Sequence, residues 1–221
     1  AVLLIELDGT NGSGSAFTVN APSNTFQGLV INRFPGAAFD GGYAFRLLSA
    51  GNTIQGNFLG TNAAGDTALP NRGGGVSVEA TSQPANTPSG NNLIGGATAA
   101  TRNVIVGGAQ GFAIDINGLN AAVFQGGIIG GDGNTVQGNY LGTNAAGSAM
   151  LGRSGIQILT KNNIIGGTTV DARNVMFSSG GIGLSLHESN ASGNTIQGNF
   201  IGINATGTAS LGGNTDGINL L

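Results

Sequence analysis

Three near-copies of one nine-residue phrase constrain the fold of this 221-residue chain more than any other feature. They occupy residues 52–60, 134–142 and 194–202, and the first copy reads Asn52-Thr-Ile-Gln-Gly-Asn-Phe-Leu-Gly60. Each copy continues into a similar turn, of which Thr61-Asn-Ala-Ala-Gly65 is the first. A unit of this length cannot bury its apolar side chains alone, so neighbouring units must stack. The repeat therefore predicts a solenoid.

The composition favours an ordered structure that is rich in β-strands. The chain has 43 glycines without a three-residue period, which excludes collagen, and only five prolines. Its hydrophobic fraction of 39% and its net charge of -3 do not fit intrinsic disorder. No glycine-free stretch carries the apolar spacing of an amphipathic helix. We predict a single all-β domain over residues 1–221.

Short strands recur between the repeated phrases, and we call the surface that they form the first face. They alternate apolar and polar residues, and such residues point to opposite sides of a strand. The apolar residues predicted to be buried are Val76, Val78, Ile114, Ile116, Ile156, Ile158, Leu184, Leu186 and Ile218. The polar column predicted to point outward is Thr18, Arg46, Ser77, Asp115, Gln157, Ser185 and Asn219, and we expect its members to face solvent.

Two further strands complete each period. A second-face strand begins with asparagine, as in 52–56, and a short third-face strand follows, as in Phe58-Leu59. Three strands joined by Gly and Asn corners, which tolerate positive φ, predict a parallel β-helix with three faces and about six to seven coils. Because coils stack about 4.8 Å apart, the first asparagines should form an amide ladder. These are Asn24, Asn52, Asn91, Asn162 and Asn194.

The register has two uncertain points. The gap between Asn117 and Gly155 holds two second-face candidates, 122–126 and 134–138, so either an extra turn or a bulged insertion fits there. Residues 5–8 precede Phe17 by too few residues for a full circuit of three strands. We therefore assign residues 5–8 to another face.

Several phrases resemble a bacterial family of right-handed parallel β-helix repeat proteins within the pectate-lyase-like superfamily. They include residues 4–9, 28–34 and the Asn-Thr-Ile-Gln-Gly-Asn units. Asn91-Asn-Leu-Ile-Gly-Gly followed by Thr101-Arg-Asn-Val-Ile105 also matches, and this pair recurs at 162–167 and 172–176. The resemblance implies a right-handed coil, in agreement with the general preference of parallel crossovers. It also implies a secreted or surface-displayed location, and it implies no particular activity.

One pair of carboxylates could serve enzymes that act on polysaccharides. Glycoside hydrolysis requires two carboxyl groups about 5 to 9.5 Å apart. Glu79 and Asp115 lie on neighbouring first-face strands, two positions out of column, which places them roughly 8 Å apart. Arg46 is the basic residue in register with them. The alternative is that these groups are solvated charges that keep the sheet surface soluble.

The lone histidine, His187, falls in an outer column of the first face, near Glu188 and beside Leu159. A metal site or a general base needs a second titratable group within reach. Asn117 and Leu159 supply none in that column, so we interpret His187 as a surface strand residue.

Arg102 and Arg173 occupy the same position of the repeat, each before Asn-Val. They could bind a row of anions, but repetition favours a structural role, in which each guanidinium bonds corner carbonyls or packs over a neighbouring coil. Asp171 would then be a local partner for Arg173. Asp66 and Asp132 stand alone in turns.

Glycine-rich stretches at 107–111 and 126–131 are interpreted as corners, because a dinucleotide site needs a following helix. We therefore predict no cofactor and no metal. Seven scattered Lys and Arg residues make nucleic acid an improbable partner. No apolar run approaches the roughly 20 residues of a membrane-spanning helix.

These features lead us to expect a non-catalytic structural or adhesive module, extracellular or on a bacterial cell surface. The alternative is a carbohydrate-active enzyme or a glycan-binding module that uses Glu79, Asp115 and Arg46. Neither end of the sequence carries a polar capping repeat: it opens with apolar residues 1–5 and closes on strand 216–221. We expect either a segment of a longer chain or copies that associate head to tail into a filament.

Overall fold

The computed structural model describes residues 5–36, 41–79, 89–108, 112–117, 131–177, 181–187, 191–212 and 215–221. Within these ranges the chain forms twenty short strands and one 3-10 turn, Ala99–Thr101. The strands make three sheets in which every paired strand is parallel to its neighbour.

The first face contains β2 (Phe17–Val19), β5 (Tyr43–Leu47), β8 (Gly74–Val78), β11 (Ile114–Ile116), β14 (Ile156–Ile158), β17 (Ile182–Leu186) and β20 (Asp216–Leu220). The second face contains β3 (Thr25–Gln27), β6 (Thr53–Gln55), β9 (Leu93–Gly95), β12 (Thr135–Gln137), β15 (Ile164–Gly166) and β18 (Thr195–Gln197). The third face contains β1 (Ile5–Asp8), β4 (Leu29–Asn32), β7 (Phe58–Leu59), β10 (Val104–Ile105), β13 (Tyr140–Leu141), β16 (Val175–Met176) and β19 (Phe200–Ile201).

Each strand pairs with the one three places later in the chain, so the backbone visits the three faces in turn. This order confirms the predicted three-faced parallel β-helix, with six strands on one face and seven on each of the other two. The right-handed sense of the coil stays a prediction.

The predicted register of the first face is confirmed. The polar column from Thr18 to Asn219 runs through directly paired residues of all seven strands. Strand β1 pairs with β4 on the third face, as predicted for residues 5–8. In the gap between 117 and 155, the second-face strand is β12, which lies between β9 and β15. The other candidate, 122–126, lies outside the described residues.

Apolar side chains from all three faces fill the interior. Eight of the nine first-face residues predicted to be buried are so, each with 8% or less of its surface exposed. Ile218 is the exception, because 47% of it is exposed. It lies on β20, which pairs with β17 on one edge and with no described strand on the other. Because no described coil packs against that edge of β20, Ile218 stays partly exposed, and the prediction that it is buried was wrong.

The predicted asparagine ladder exists on the second face, with a correction of one residue in two coils. Its members are Asn24, Asn52, Asn92, Asn134, Asn163 and Asn194. Asn92 and Asn163 take the places that we predicted for Asn91 and Asn162. The latter two have φ of 56° and 60° and turn the chain at the corner. Asparagine tolerates this conformation better than most residues.

A second ladder, which the sequence analysis missed, runs along the corner between the second and third faces. Its members are Asn57, Asn103, Asn139, Asn174 and Asn199. Each donates from Nδ2 to the Oδ1 of the next at 2.9 to 3.2 Å. The first four are fully buried. A buried amide without partners costs free energy, so the ladders satisfy groups that the corners would otherwise leave unpaired.

Two kinds of coil alternate along the third face. Aromatic residues and valines succeed one another in register in the order Val30, Phe58, Val104, Tyr140, Val175 and Phe200. Only the aromatic coils carry the turn that follows the repeated phrase. These turns contact one another across the intervening valine coil, since Ala145 N donates to Gly65 O at 2.8 Å and Ala205 N donates to Gly147 O at 2.9 Å.

Candidate functional site

The outer surface of the first face holds the candidate residues. Strands β5, β8 and β11 are adjacent, and they bring Arg46, Glu79 and Asp115 to one place together with Tyr43 and Ser77. We call these five residues the outer cluster. Sequence analysis identified the first three, and it missed the tyrosine and the role of the serine.

Arg46 and Glu79 form a bidentate ion pair between neighbouring coils. Arg46 Nε donates to Glu79 Oε1 at 3.1 Å, and Nη2 donates to Oε2 at 2.6 Å. Ser77 Oγ donates to Glu79 Oε1 at 2.7 Å. The two side chains are 20% and 24% exposed, so they are largely shielded from water. Both oxygens of the Glu79 carboxylate are therefore engaged, in the geometry that makes charge-assisted bonds strong.

Tyr43 and Asp115 are joined across two coils. Tyr43 Oη donates to Asp115 Oδ2 at 2.7 Å, although β8 lies between their strands. The ring reaches this far by passing over glycine. A Cβ at Gly73 would lie 2.9 Å from Tyr43 Cε2, and one at Gly41 would lie 2.7 Å from the same atom. The glycines at these two positions are the sequence signal that could have pointed to the tyrosine.

Asp115 is buried, which corrects the prediction that it faces solvent. Only 3% of it is exposed, and Ser77 and Ser185 in the same column are 0% and 2% exposed. The period of two in the sequence identifies the side of the sheet on which a residue lies. It does not reveal that Tyr43 crosses this side of the sheet. The second oxygen, Asp115 Oδ1, is buried and has no hydrogen-bond partner within the described residues.

Burial decides the protonation of this carboxyl group. Loss of hydration raises the pKa of Asp115 to about 7, the hydrogen bond from Tyr43 opposes this shift, and the charge of Glu79 adds to it. Burial and the neighbouring Asp115 also raise the pKa of the Tyr43 hydroxyl far above its usual value. Asp115 is therefore a carboxyl group that exchanges a proton near neutral pH, held by a tyrosine that stays protonated.

The cluster has the groups of an acid–base pair but restricts their access. A catalytic carboxyl group must come within hydrogen-bond distance of the substrate. Asp115 is 3% exposed, and Glu79 is occupied by Arg46 and Ser77. As arranged, the cluster cross-links coils: the ion pair connects two of them, and Tyr43 with Asp115 spans three.

His187 lies where the sequence placed it. It directly follows β17, is half-buried, and its backbone N donates to Ile158 O at 3.0 Å, which sets it beside Leu159. Glu188 lies outside the described residues. No group of three or more His, Cys, Asp or Glu residues in the described part of the chain could hold a metal ion.

The two repeated arginines have the predicted structural role. Arg102 lies over the ring of Tyr140, with its guanidinium carbon 4.2 Å from the ring centre, and Arg173 lies over Phe200 at 3.7 Å. Their Nε atoms donate to the corner carbonyls of Gly138 and Gly198.

The partner expected for Arg173 is corrected by the structure. Asp171 lies 3.8 Å from Arg102, in the coil two turns earlier, so the contact is between coils and not local. The local interpretation had relied on closeness in sequence alone.

The remaining predicted turn residues take part in local contacts. Asp132 lies 3.8 Å from Lys161 Nζ, and Asp66 accepts from Asn62 Nδ2 at 2.8 Å. Gly107 forms an isolated bridge with Arg153. Residues 109–111 and 126–130 of the glycine-rich stretches lie outside the described residues.

In the described ranges, no helix has the length and apolar character needed to cross a membrane. Comparison of the chain with protein-family models, with curated proteins and with solved structures gives no match.

Proposed function

We propose that this chain is a non-catalytic structural or adhesive module of an extracellular bacterial protein, related to the right-handed β-helix repeat proteins of the pectate-lyase-like superfamily. The single observation that carries this proposal is the pair of asparagine ladders, which run through the described coils from Asn24 to Asn194 and from Asn57 to Asn199. They bond each coil to the next, so these side chains serve the stacking of coils.

Charged side chains also connect neighbouring coils. Arg46 binds Glu79, and Arg102 and Arg173 cover aromatic rings of a neighbouring coil. In a solenoid, each repeat contacts only its neighbours, so stability depends on such contacts between coils. A stack held in this way on the outside as well as in the core suits a stiff spacer or a display scaffold.

A carbohydrate-active enzyme or a glycan-binding module is the second candidate. The observation in its favour is the outer cluster, in which one carboxyl group with a pKa of about 7 lies near a second one that is bound to Arg46. Enzymes that cleave glycosidic bonds use such a difference between two carboxyl groups. The burial of Asp115 opposes this candidate.

A screen against pectin, alginate and related polysaccharides separates the two candidates. The readouts are new reducing ends, absorbance of unsaturated products and retention on immobilised glycans. The variants are Glu79→Gln and Asp115→Asn, with Asp171→Asn as a matched control in which an exposed acid outside the cluster is changed. The structural proposal expects no turnover by any of the four proteins. Turnover that the first two changes abolish and the control retains would overturn it.

We further propose that copies associate through their terminal coils. Four apolar residues in these coils are 47% to 70% exposed: Ile5, Ile218, Leu220 and Leu221. Strands β1 and β20 each have one edge without a described partner strand, and an open edge is a template for pairing with another chain.

Sedimentation and negative-stain images of the purified chain test this association. We expect fibres of one solenoid's width that the Leu220→Asp change disperses, with Val170→Asp, at another exposed apolar residue, as the control. Dispersed monomers of the unchanged chain at high concentration would contradict head-to-tail association.

A further inference from the structure

The outer cluster combines a mechanical connection with a titratable group. Tyr43 on β5 reaches over β8 to Asp115 on β11, so a single side chain ties three successive coils. Arg46 and Glu79 add a second tie between the first two of these coils. Neither tie involves an asparagine of the ladders. Their special property is that one of them ends on a buried carboxyl group.

The surroundings of Asp115 favour its uncharged form. Glu79 contributes a negative charge, and Arg46, the cation of the cluster, is already bound to that carboxylate. On the other side, β14 offers Gln157, which is uncharged. The segments that follow Glu79 and Asn117, residues 80–88 and 118–130, contain no ionisable side chain.

Two buried oxygens support the same conclusion independently of any titration. Asp115 Oδ1 and Asn117 Oδ1 are both acceptors, they lie two residues apart on one side of the sheet, and neither has a hydrogen-bond partner within the described residues. An unpaired buried acceptor costs free energy. An ionised Asp115 leaves a charged oxygen without a donor in this place, and a proton removes that charge.

We propose that Tyr43 and Asp115 form a proton-dependent latch, which holds three coils of the first face together when Asp115 is protonated and opens more readily when it is ionised. This inference is independent of the proposed structural role and of the carbohydrate alternative. It assigns the buried carboxyl group a regulatory use, namely adjustment of local stability to the pH of the surroundings.

The direction of the effect follows from linkage. The pKa of Asp115 in the closed latch is about 7, above its ordinary value of 3.8 in the open form. The closed latch therefore has its full stability below the ordinary pKa, loses stability as the pH rises towards 7, and changes no further above it. The population of the open form should rise about tenfold per pH unit within that window.

Hydrogen–deuterium exchange between pH 5 and 8, corrected for intrinsic exchange rates, measures this opening directly. Peptides that cover 43–47, 74–79 and 112–117 report on the latch, and a peptide that covers 195–201 is the reference. We expect the three latch peptides to open progressively up to about pH 7 relative to the reference. Latch peptides that follow the reference at every pH would overturn the proposal.

Three variants make distinct predictions, because the causes of the pKa shift are separate. Asp115→Asn should abolish the pH dependence. Glu79→Gln removes a charge that raises the pKa of Asp115, so the pH above which opening no longer increases should be lower. Tyr43→Phe removes a hydrogen bond that lowers the pKa of Asp115, so the pH above which opening no longer increases should be higher. Opening should also be faster at every pH. Shifts in the opposite directions would contradict the latch.

Carbon-13 NMR of the aspartate carboxyl groups gives a readout that needs no destabilising variant. One signal should titrate near pH 7 and disappear in Asp115→Asn. Asp40, which lies outside the described residues, is the control. If Asp40→Asn removed that signal, or if every aspartate titrated at its ordinary value, Asp115 would not be the switch.

Discussion

Asn139 donates twice to one atom of Asn174 in the next coil of its ladder: its backbone N and its Nδ2 lie 3.0 and 3.1 Å from Asn174 Oδ1. The same double contact recurs between Asn57 and Asn103, at 2.9 and 3.2 Å. One side-chain oxygen thus fixes both the main chain and the side chain of the preceding coil. This relationship repeats at every step of the second-face ladder, and it is the basis of our account of how the coils stay stacked.

The first prediction concerns the corner ladder, to which Asn139 belongs. Asn139→Ala removes the acceptor for one Asn103 Nδ2 hydrogen and one of the two donors to Asn174 Oδ1, in a fully buried corner. We expect a loss of about 2 to 4 kcal/mol in the free energy of unfolding, as for other changes that strand buried polar groups. Urea denaturation followed by circular dichroism measures it. Asn219→Ala, in the exposed last strand, is the control and should change the stability by less than about 0.5 kcal/mol.

The second prediction concerns the glycine beneath Tyr43. In Gly73→Ala, the new methyl group would lie 2.3 Å from Gly41 O and 2.9 Å from the Tyr43 ring. Because backbone cannot move aside freely, we expect a cost of about 2 kcal/mol or more. Gly217→Ala is the matched control on the same face, since nothing lies within 4 Å of its added methyl group. Equal melting temperatures for the two variants would show that the ring does not pass over Gly73.

A third prediction tests the ion pair of the outer cluster. Arg46→Met should cost about 1 to 3 kcal/mol, because it leaves the largely shielded Glu79 carboxylate with Ser77 as its remaining donor among the contacts described above. The double variant Arg46→Met with Glu79→Gln should regain part of this loss, since no unpaired charge remains. A double-mutant cycle in the melting temperature measures the coupling. Additive losses would mean that the two residues do not interact.

The fourth prediction distinguishes stacking from simple charge. Arg173 lies over Phe200 and also bonds a corner carbonyl. Arg173→Lys keeps the charge but loses the planar group that stacks and donates, so we expect a loss of about 0.5 to 1 kcal/mol. Lys161→Arg, at an exposed pair, should be nearly neutral. If Arg173→Lys were equally neutral, charge alone would explain the repeated arginine.

Much of the fold follows from the sequence, because a repeated unit shows both its periodicity and its stacking. Alternation fixed which side of β8, β11 and β14 faces the core, and the phrase Asn-Thr-Ile-Gln-Gly indicated an asparagine ladder. The ladder was displaced by one residue at Asn92 and Asn163 because two adjacent asparagines are equivalent in sequence. Their backbone conformations differ only once the corner is built.

The candidate site was less accessible to sequence reasoning. The proximity of Glu79, Asp115 and Arg46 could be predicted, because it follows from the register in which β5, β8 and β11 pair. The burial of Asp115 depends on a side chain from two coils away, so the pattern of its own strand does not encode the contact. The pairing of Asp171 with Arg102 was missed for the same reason. The trace of the contact with Asp115 in the sequence is the glycine at positions 41 and 73, over which the Tyr43 ring passes.

The most direct test of our account is amide hydrogen exchange, resolved by residue with NMR, along the two ladders. The account predicts that the backbone amides of Asn52, Asn92, Asn134 and Asn139, each bonded to the next asparagine, exchange only on global unfolding. Amides of the exposed turn residues Ala63 and Ala64 should exchange orders of magnitude faster. Ladder amides that exchange as fast as those turn amides would contradict the claim that these asparagines hold the coils together.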